Sequence, residues 1–156
     1  MEKEAKTKKE IHEKMASLCS RSEQCSQDIR RKIVASGLDD DSADEIIEKL
    51  KKENFIDDKR YITSYINEKI RINKWGKVKM RYYLRMKGID SSLIDKGLDE
   101  IDEKTYYDLL VSTLREKART VRKKTKYEKM GQIIRFAQSR GFEPELIHRY
   151  LNEVIE

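Results

Sequence analysis

The amino-acid sequence predicts an all-α fold built from three tandem repeats of three helices each. The glycines Gly37, Gly88 and Gly141 each end a basic and apolar stretch and lie 51 and 53 residues apart. Apolar residues recur at matching offsets, as they do eight residues before each glycine, at Ile29, Met80 and Ile133. No sustained alternation of apolar and polar residues indicates a strand. A period of about fifty residues fits the known helical repeat arrays.

Composition favours thin helical layers over one thick core. Charged residues make up 41% of the 156-residue chain and hydrophobic residues 37%. Such polarity is also typical of disordered chains. The regular apolar spacing and the presence of only one proline argue against disorder. Each helix is therefore expected to bury one apolar stripe.

The first repeat is predicted at residues 1–56. Its three helices are marked by apolar residues three and four positions apart: Ile11, Met15 and Leu18; Ile29 and Ile33; Ala43, Ile46, Ile47 and Leu50. Asp41 or Ser42 is the expected N-cap of the third helix.

The second repeat is predicted at residues 57–102, with Asp57 or Asp58 capping its first helix. Gly76 precedes the second helix, and Gly88 is expected to end that helix in the left-handed region. Ser91 is the expected cap of the third helix. The apolar positions of the three helices are Tyr61, Ile62, Tyr65, Ile66 and Ile70; Val78, Met80, Tyr83 and Leu84; Ile94, Leu98 and Ile101.

The third repeat is predicted at residues 103–156, where Pro144 suits a first helical turn. Of two tyrosine pairs, Tyr83 and Tyr107 are expected in the core. Tyr82 and Tyr106 are expected at the surface. The apolar positions of its first two helices are Tyr107, Leu110, Val111, Leu114, Ala118 and Val121; Tyr127, Met130, Ile133, Ile134 and Ala137.

Charge is segregated along the chain, which carries a net charge of +6. Residues 69–87 hold eight bases and no acid, and residues 115–129 hold eight bases and two acids, whereas residues 38–58 have a net charge of −6. A basic helix can simply be a solvated face, but eight neighbouring positive charges repel one another unless an anionic surface offsets them. We therefore expect binding to phosphates or acidic partners. The candidate binding residues are Lys74, Lys77, Arg81, Arg85, Arg115, Arg119 and Arg122.

The stretch from Phe55 to Tyr61 is the most specific local pattern. Its expected role is structural: an aspartate caps the helix, Phe55 packs under the junction of two repeats, and Arg60 pairs with an acid. A metal site is not expected at Asp57 and Asp58, because no histidine or third carboxylate stands at ligand spacing. Trp75 is interpreted as packing at a helix junction, with stacking on a base or a partner as the alternative.

Several classes of function find no support in the sequence. It contains no 18-residue apolar run and no hydrophobic stretch after the charged N-terminus, so a cytoplasmic protein is expected. The two cysteines, Cys19 and Cys25, suggest reduced thiols rather than a disulfide framework. Neither phosphate-binding glycine motif occurs, and His12 and His148 have no nucleophile or metal motif nearby. We therefore expect neither enzymatic activity nor a cofactor or metal.

Over roughly residues 10–155 the chain resembles the RecX family of bacterial recombination regulators. The resemblance rests on residues 18–23, Ile29 to Ile33, Phe55 to Tyr61 with Tyr65 and Ile66, and the stretch from Gly76 to Ile89. Its signature residues here are Phe55, Asp57, Asp58, Arg60, Tyr61 and Gly88. Two positions depart from the family pattern. Tyr61 stands where phenylalanine is more common, and Trp75 where a small or basic residue is usual.

The resemblance implies a non-enzymatic modulator, mainly an inhibitor, of the RecA recombinase, with its three-helix repeats in an elongated, curved array. Such a protein binds the RecA–DNA filament, with single-stranded DNA inside it. It limits filament growth, ATPase and strand exchange, and so regulates DNA repair, recombination and the SOS response. A monomer with no membrane contact is expected. Two alternatives remain, a nucleic-acid-binding helical module that works without the recombinase and a structural adaptor for another acidic protein.

Overall fold

The structure is a computed structural model that describes residues 2–122 and 125–155, with side chains from residue 7 onward. Lys123 and Lys124, in the second basic block, lie outside the described residues. Every regular element within the described ranges is helical, which confirms the predicted all-α class. The helices are α1 (Glu2–Arg21), α2 (Ser26–Ala35), α3 (Asp40–Lys52), α4 (Asp58–Glu68), α5 (Lys77–Met86), α6 (Ser91–Asp99), α7 (Glu103–Thr120), α8 (Lys126–Ser139) and α9 (Pro144–Leu151), with a π-helical turn (Lys69–Asn73) after α4.

Three hydrophobic clusters follow one another along the chain, each formed mainly by three successive helices. Ile29, Ile33 and Leu50 lie in the first cluster; Ile62, Met80, Leu84, Ile94 and Leu98 in the second; Leu110, Leu114, Ile133 and Ile147 in the third. The three-helix repeats are thereby confirmed. The limits 1–56, 57–102 and 103–156 stay a prediction.

The surface area agrees with an extended arrangement of these clusters. The chain exposes 10164 Å². A compact monomer of 18.6 kDa is expected to expose about 8,200 Å². The excess follows from three small cores in sequence, because each core buries one face of its helices and leaves the opposite face in water.

A glycine in the left-handed region ends the second helix of each repeat, as predicted. Gly37, Gly88 and Gly141 have φ values of 101°, 77° and 94°. Each donates its N–H to the carbonyl three residues earlier, at 2.9–3.0 Å. The backbone then turns so that the next residue, Leu38, Ile89 or Phe142, enters the core. A side chain on the glycine would make this turn costly.

Two predicted helix caps are wrong by one to three residues. Asp39 caps α3, since its carboxylate accepts the Ser42 N–H at 2.8 Å. This hydrogen bond holds the Asp39 pKa below its usual value. Before α6 the cap position belongs to Asp90, and Ser91 is already helical. Both helices begin earlier than expected. Each cap directly follows the buried residue after the glycine turn, which is Leu38 before α3 and Ile89 before α6.

The assignment of Tyr106 and Tyr107 is also wrong, because Tyr106 is buried and Tyr107 is only half-buried. Tyr106 is only 5% exposed, and its hydroxyl accepts the Lys77 N–H at 2.9 Å and donates to Glu143. Tyr107 is half-buried and donates its hydroxyl to Glu153 at 2.6 Å. Helical periodicity considers only the neighbours of a residue within its own repeat. The pocket that buries Tyr106 also contains Lys77, which belongs to the second repeat.

Three further residues predicted on apolar stripes are exposed at the surface. Val78 is 45% exposed, Tyr83 40% and Tyr127 87%. Tyr82 is exposed as expected.

Backbone contact fixes the second repeat against the third. Gly76 donates its N–H to the Arg140 carbonyl at 2.7 Å, and Val78 donates to the Gly141 carbonyl at 2.9 Å. A β-carbon on Gly76 would lie 2.6 Å from the backbone nitrogen of Phe142. The two backbone segments can approach this closely only because Gly76 and Gly141 have no side chain.

The helices that the structure describes include none long and apolar enough to span a membrane. Among the same residues, no group of three or more His, Cys, Asp or Glu side chains is placed to hold a metal ion.

Candidate functional site

The acidic pair of the signature stretch joins the first repeat to the second. Asp57 caps α4, because its carboxylate accepts the Arg60 N–H at 3.1 Å. Asp58 accepts two hydrogen bonds from Ser26 at the start of α2, from the backbone N–H at 2.9 Å and the hydroxyl at 2.7 Å. Asp57 thus caps its own helix, α4. Asp58 binds the first residue of α2 and so joins the first repeat to the second.

Arg60 ties the same junction from another side. Its Nε donates to Glu23 at 2.6 Å, and a terminal nitrogen donates to the Asn54 carbonyl at 2.9 Å. Phe55 is partly buried against the first core, and Tyr61 against the second. Burial raises the Tyr61 pKa, so the phenol stays neutral. These residues contact one another and neighbouring helices, which favours a positioning role.

Gly88 completes the junction. A β-carbon there would lie 3.1 Å from the side chain of Gln27, at the start of α2. Beside it, Lys87 donates to Asp28 at 2.8 Å. Cys25, just before α2, is fully buried and packs into the core of the second repeat. Burial raises its thiol pKa to about 11, so this thiol is not poised for chemistry.

The predicted basic stripe of the second repeat is present only in part. Lys74 lies before α5, with left-handed backbone angles (φ 57°), so it is not on the helix as expected. Lys77 begins α5 and lies over the Tyr106 ring, with 4.8 Å from Nζ to the ring centroid. Arg81 donates to Asp95 on α6 at 3.0 Å. Lys74 and Arg85 are exposed, and neither forms an ion pair within residues 7–122 and 125–155.

The third-repeat candidates are all at the surface. Arg115 and Arg119 lie in the second half of α7, and Arg122 follows the helix. All three are exposed, and none is ion-paired to another described residue. Lys117, between them, instead lies over the Phe136 ring at 4.9 Å.

Sequence reasoning missed a cluster of rings and cations between α4 and α5. The π-helical turn places Lys69 next to Trp75, because the Trp75 N–H donates to the Lys69 carbonyl at 3.1 Å. The ammonium groups of Lys69 and Lys79 lie 4.8 and 4.7 Å from the Trp75 ring. Tyr83 stacks on Trp75 at 5.2 Å with an interplanar angle of 27°.

A groove of about 650 Å³ opens beside this cluster. Tyr65 lies on its wall, and burial raises the Tyr65 pKa to about 12. One signal in the sequence could have indicated the cluster, namely the aromatic residues interspersed among bases between Tyr65 and Tyr83. The π-helical turn, which brings Lys69 and Trp75 together, leaves no comparable pattern.

Two family models match the chain. "RecX, second three-helix domain" matches residues 57–98, and "RecX, third three-helix domain" matches residues 104–151. Together these matches cover more than half of the chain.

Curated relatives carry the name "Regulatory protein RecX". The protein from Clostridium botulinum (strain Eklund 17B / Type B) is 30% identical over 129 residues, which are 81% of this chain and 60% of the relative. The protein from Clostridium tetani (strain Massachusetts / E88) is 33% identical over 129 residues, which are 80% of this chain and 57% of the relative. The chain thus spans about three fifths of the length of the relatives it matches.

Solved structures share the fold. The crystal structure of RecX from Lactobacillus salivarius superposes with a TM-score of 0.88 at 21% identity, covering 96% of this chain and 97% of that one. A second crystal structure, of a regulatory protein RecX, gives a TM-score of 0.84 at 21% identity and covers 96% and 73%. At this identity the likeness establishes the arrangement of helices.

Proposed function

The chain belongs to the RecX family of regulatory proteins, and from this membership we propose that it modulates the RecA recombinase without being an enzyme. In this proposal it binds the RecA–DNA filament, including the single-stranded DNA within it. Binding limits filament growth, ATPase and strand exchange, so that the main effect is inhibition. The protein would thereby regulate DNA repair and recombination.

One observation carries the proposal beyond membership, the set of exposed cations on the second and third repeats that have no acidic partner among the described residues. Lys74, Arg85, Arg115, Arg119 and Arg122 are all of this kind. Exposed cations without an internal acidic partner attract phosphates and carboxylates. A filament of recombinase on DNA offers such groups at regular intervals, and an extended array of repeats can contact several at once.

The acidic helix α3 is expected to contribute less to filament binding than the basic residues. We expect its carboxylates to meet basic loops of the filament. Arg30 of α2 already pairs with Asp40 and Asp44. Glu45 and Glu48 are also exposed, and Lys8 and Lys51 lie within ion-pair distance of them. The basic residues therefore supply most of the expected binding energy.

The test is the inhibition of the recombinase ATPase on single-stranded DNA. The double variant Lys74→Glu, Arg85→Glu changes two exposed residues and breaks no internal ion pair. We expect the concentration for half-inhibition to rise about tenfold or more, as for the loss of two phosphate or carboxylate contacts. Arg81 is less suitable, because its reversal would place two carboxylates together at Asp95.

The matched control is Lys32→Glu, Lys52→Glu. It makes the same change in net charge at exposed positions of the first repeat. If inhibition falls equally in both double variants, the loss is caused by the change in net charge and not by the positions of Lys74 and Arg85. Inhibition unchanged in the first variant would remove Lys74 and Arg85 from the mechanism.

A nucleic-acid-binding module that acts without the recombinase makes a different prediction. It would bind naked DNA as tightly as the filament. Its affinity would fall with salt by about one unit of logarithmic slope for each phosphate contact. Comparing naked DNA with filament at two salt concentrations separates the two functions.

A further inference from the structure

We propose that an exposed surface on α5 binds unpaired nucleic-acid bases by stacking. This surface consists of Tyr82, Tyr83 and Met86 and is called the aromatic ledge below. The proposal deepens the proposed function, on which it rests, because it names the DNA component that this surface would contact. It assigns recognition to base faces in addition to phosphates.

The exposure of the ledge is the first argument. Tyr82 is 59% exposed, Tyr83 40% and Met86 59%. They fall within five residues on one helix, next to a groove whose wall includes Tyr83 and Met86. Large side chains clustered in this way on a soluble protein commonly mark a binding surface, whereas scattered ones do not.

The second argument is that the rings are already held in place. Tyr83 stacks on Trp75 at 5.2 Å, and Tyr82 meets the Tyr83 ring edge-on at 5.2 Å. The backbone of Trp75 is held by the hydrogen bond from its N–H to the Lys69 carbonyl, and its ring contacts the ammonium groups of Lys69 and Lys79. A base that stacks here would therefore immobilise few side chains, so little of the binding energy is lost to ordering.

The positive charge around the aromatic ledge indicates which kind of ligand it binds. Of the eight bases from Lys69 to Lys87, two pair with acids of other helices, but Arg85 is exposed beside the ledge and has no ion pair among the described residues. An aromatic surface bordered by cations suits a flexible polyanion with exposed ring faces, which is single-stranded nucleic acid. In a duplex the base faces are covered by their neighbours, so the ledge should favour single strands.

The experiment uses the full chain with no recombinase present. An end-labelled oligothymidylate and an abasic strand of equal length carry the same phosphates, and fluorescence anisotropy gives the affinity for each. Trp75 is the only tryptophan, so its emission reports from the site. We expect the thymidylate to bind about tenfold tighter than the abasic strand, the difference typical of one stacked base, and only the thymidylate to change the Trp75 emission.

The key variant is Tyr82→Ala, and Tyr127→Ala is its matched control. Tyr127 is an 87% exposed tyrosine in the third repeat. Tyr82→Ala should remove the preference for thymidylate and leave the abasic affinity unchanged, while Tyr127→Ala should behave as wild type. Far-ultraviolet circular dichroism checks that both variants are folded.

Two results would overturn the proposal. Equal affinity of the wild type for both strands would mean that no base is contacted. In a separate titration with free recombinase and no DNA, a Trp75 response there with none to thymidylate in the first assay would assign the ledge to a protein partner. Failure of the proposed function is seen separately, as absence of ATPase inhibition, because the oligonucleotide assay contains no recombinase.

Discussion

Replacing Gly141 with alanine should loosen the contact between the second and third repeats. Gly141 has a φ of 94°, and a β-carbon there would overlap the Lys79 β-carbon and lie 2.7 Å from the Lys79 backbone nitrogen. Gly37→Ala is the matched control. Gly37 has a similar φ, 101°, but a β-carbon there would meet nothing within 4 Å.

Both variants lose free energy of unfolding for the same backbone reasons, and only Gly141→Ala adds a steric overlap with Lys79. An L-residue in the left-handed region costs about 1–2 kcal/mol, and a stiffer unfolded chain returns about 0.4–1 kcal/mol in both. Overpacking adds about 1–3 kcal/mol for Gly141→Ala alone. With a urea dependence of about 2 kcal/mol per molar, its midpoint should lie about 0.5–1.5 M below that of Gly37→Ala.

Urea unfolding followed by circular dichroism measures this difference, and Trp75 fluorescence locates it. Trp75 adjoins Gly76, whose N–H donates to the Arg140 carbonyl. Its emission should therefore change in folded Gly141→Ala and stay unchanged in Gly37→Ala. Equal midpoints for the two variants would refute the reasoning, since the close approach at Gly141 would then carry no energetic consequence.

Two further predictions concern polar groups. Tyr106→Phe should lower the free energy of unfolding by about 1–3 kcal/mol in urea titrations, because it leaves the Lys77 N–H without its acceptor. The control Tyr107→Phe should lower it clearly less. A similar loss in both variants would contradict the reasoning. Since the Asp39 pKa is lowered in the folded state, its stabilising effect is complete above the ordinary pKa and is lost as the pH falls through the lowered one. Asp39→Asn keeps the capping oxygen but does not titrate there. Its urea midpoint should therefore fall less steeply under acid than that of the wild type, and parallel pH profiles would exclude the Asp39 carboxylate as the cause.

The fold could be predicted closely because its signals are local. Apolar residues three and four apart identify a helix wherever it packs, and a glycine between two such stretches marks a left-handed turn. Gly37, Gly88 and Gly141 all adopt positive φ, and Pro144 begins α9 as expected. Each of these features depends on a few neighbouring residues.

The candidate site could be predicted less well, because a charge in the sequence does not show its partner. Lys74, Lys77, Arg81 and Arg85 form one basic series in the sequence. In the structure Arg81 pairs with Asp95, and Lys77 lies over Tyr106. Whether these cations are available to a partner is decided by acids and rings brought in from other helices.

The sequence by itself determined the helical class, the threefold repetition and the turns, since these follow from side-chain periodicity and from the freedom of glycine. Only the tertiary structure decided which tyrosine is buried, which cations remain unpaired and that Trp75 supports Tyr83. Tyr106 and Lys77 are 29 residues apart in the chain yet share a hydrogen bond. Contacts between repeats depend on how separate helices are packed together, and local periodicity carries no record of that packing.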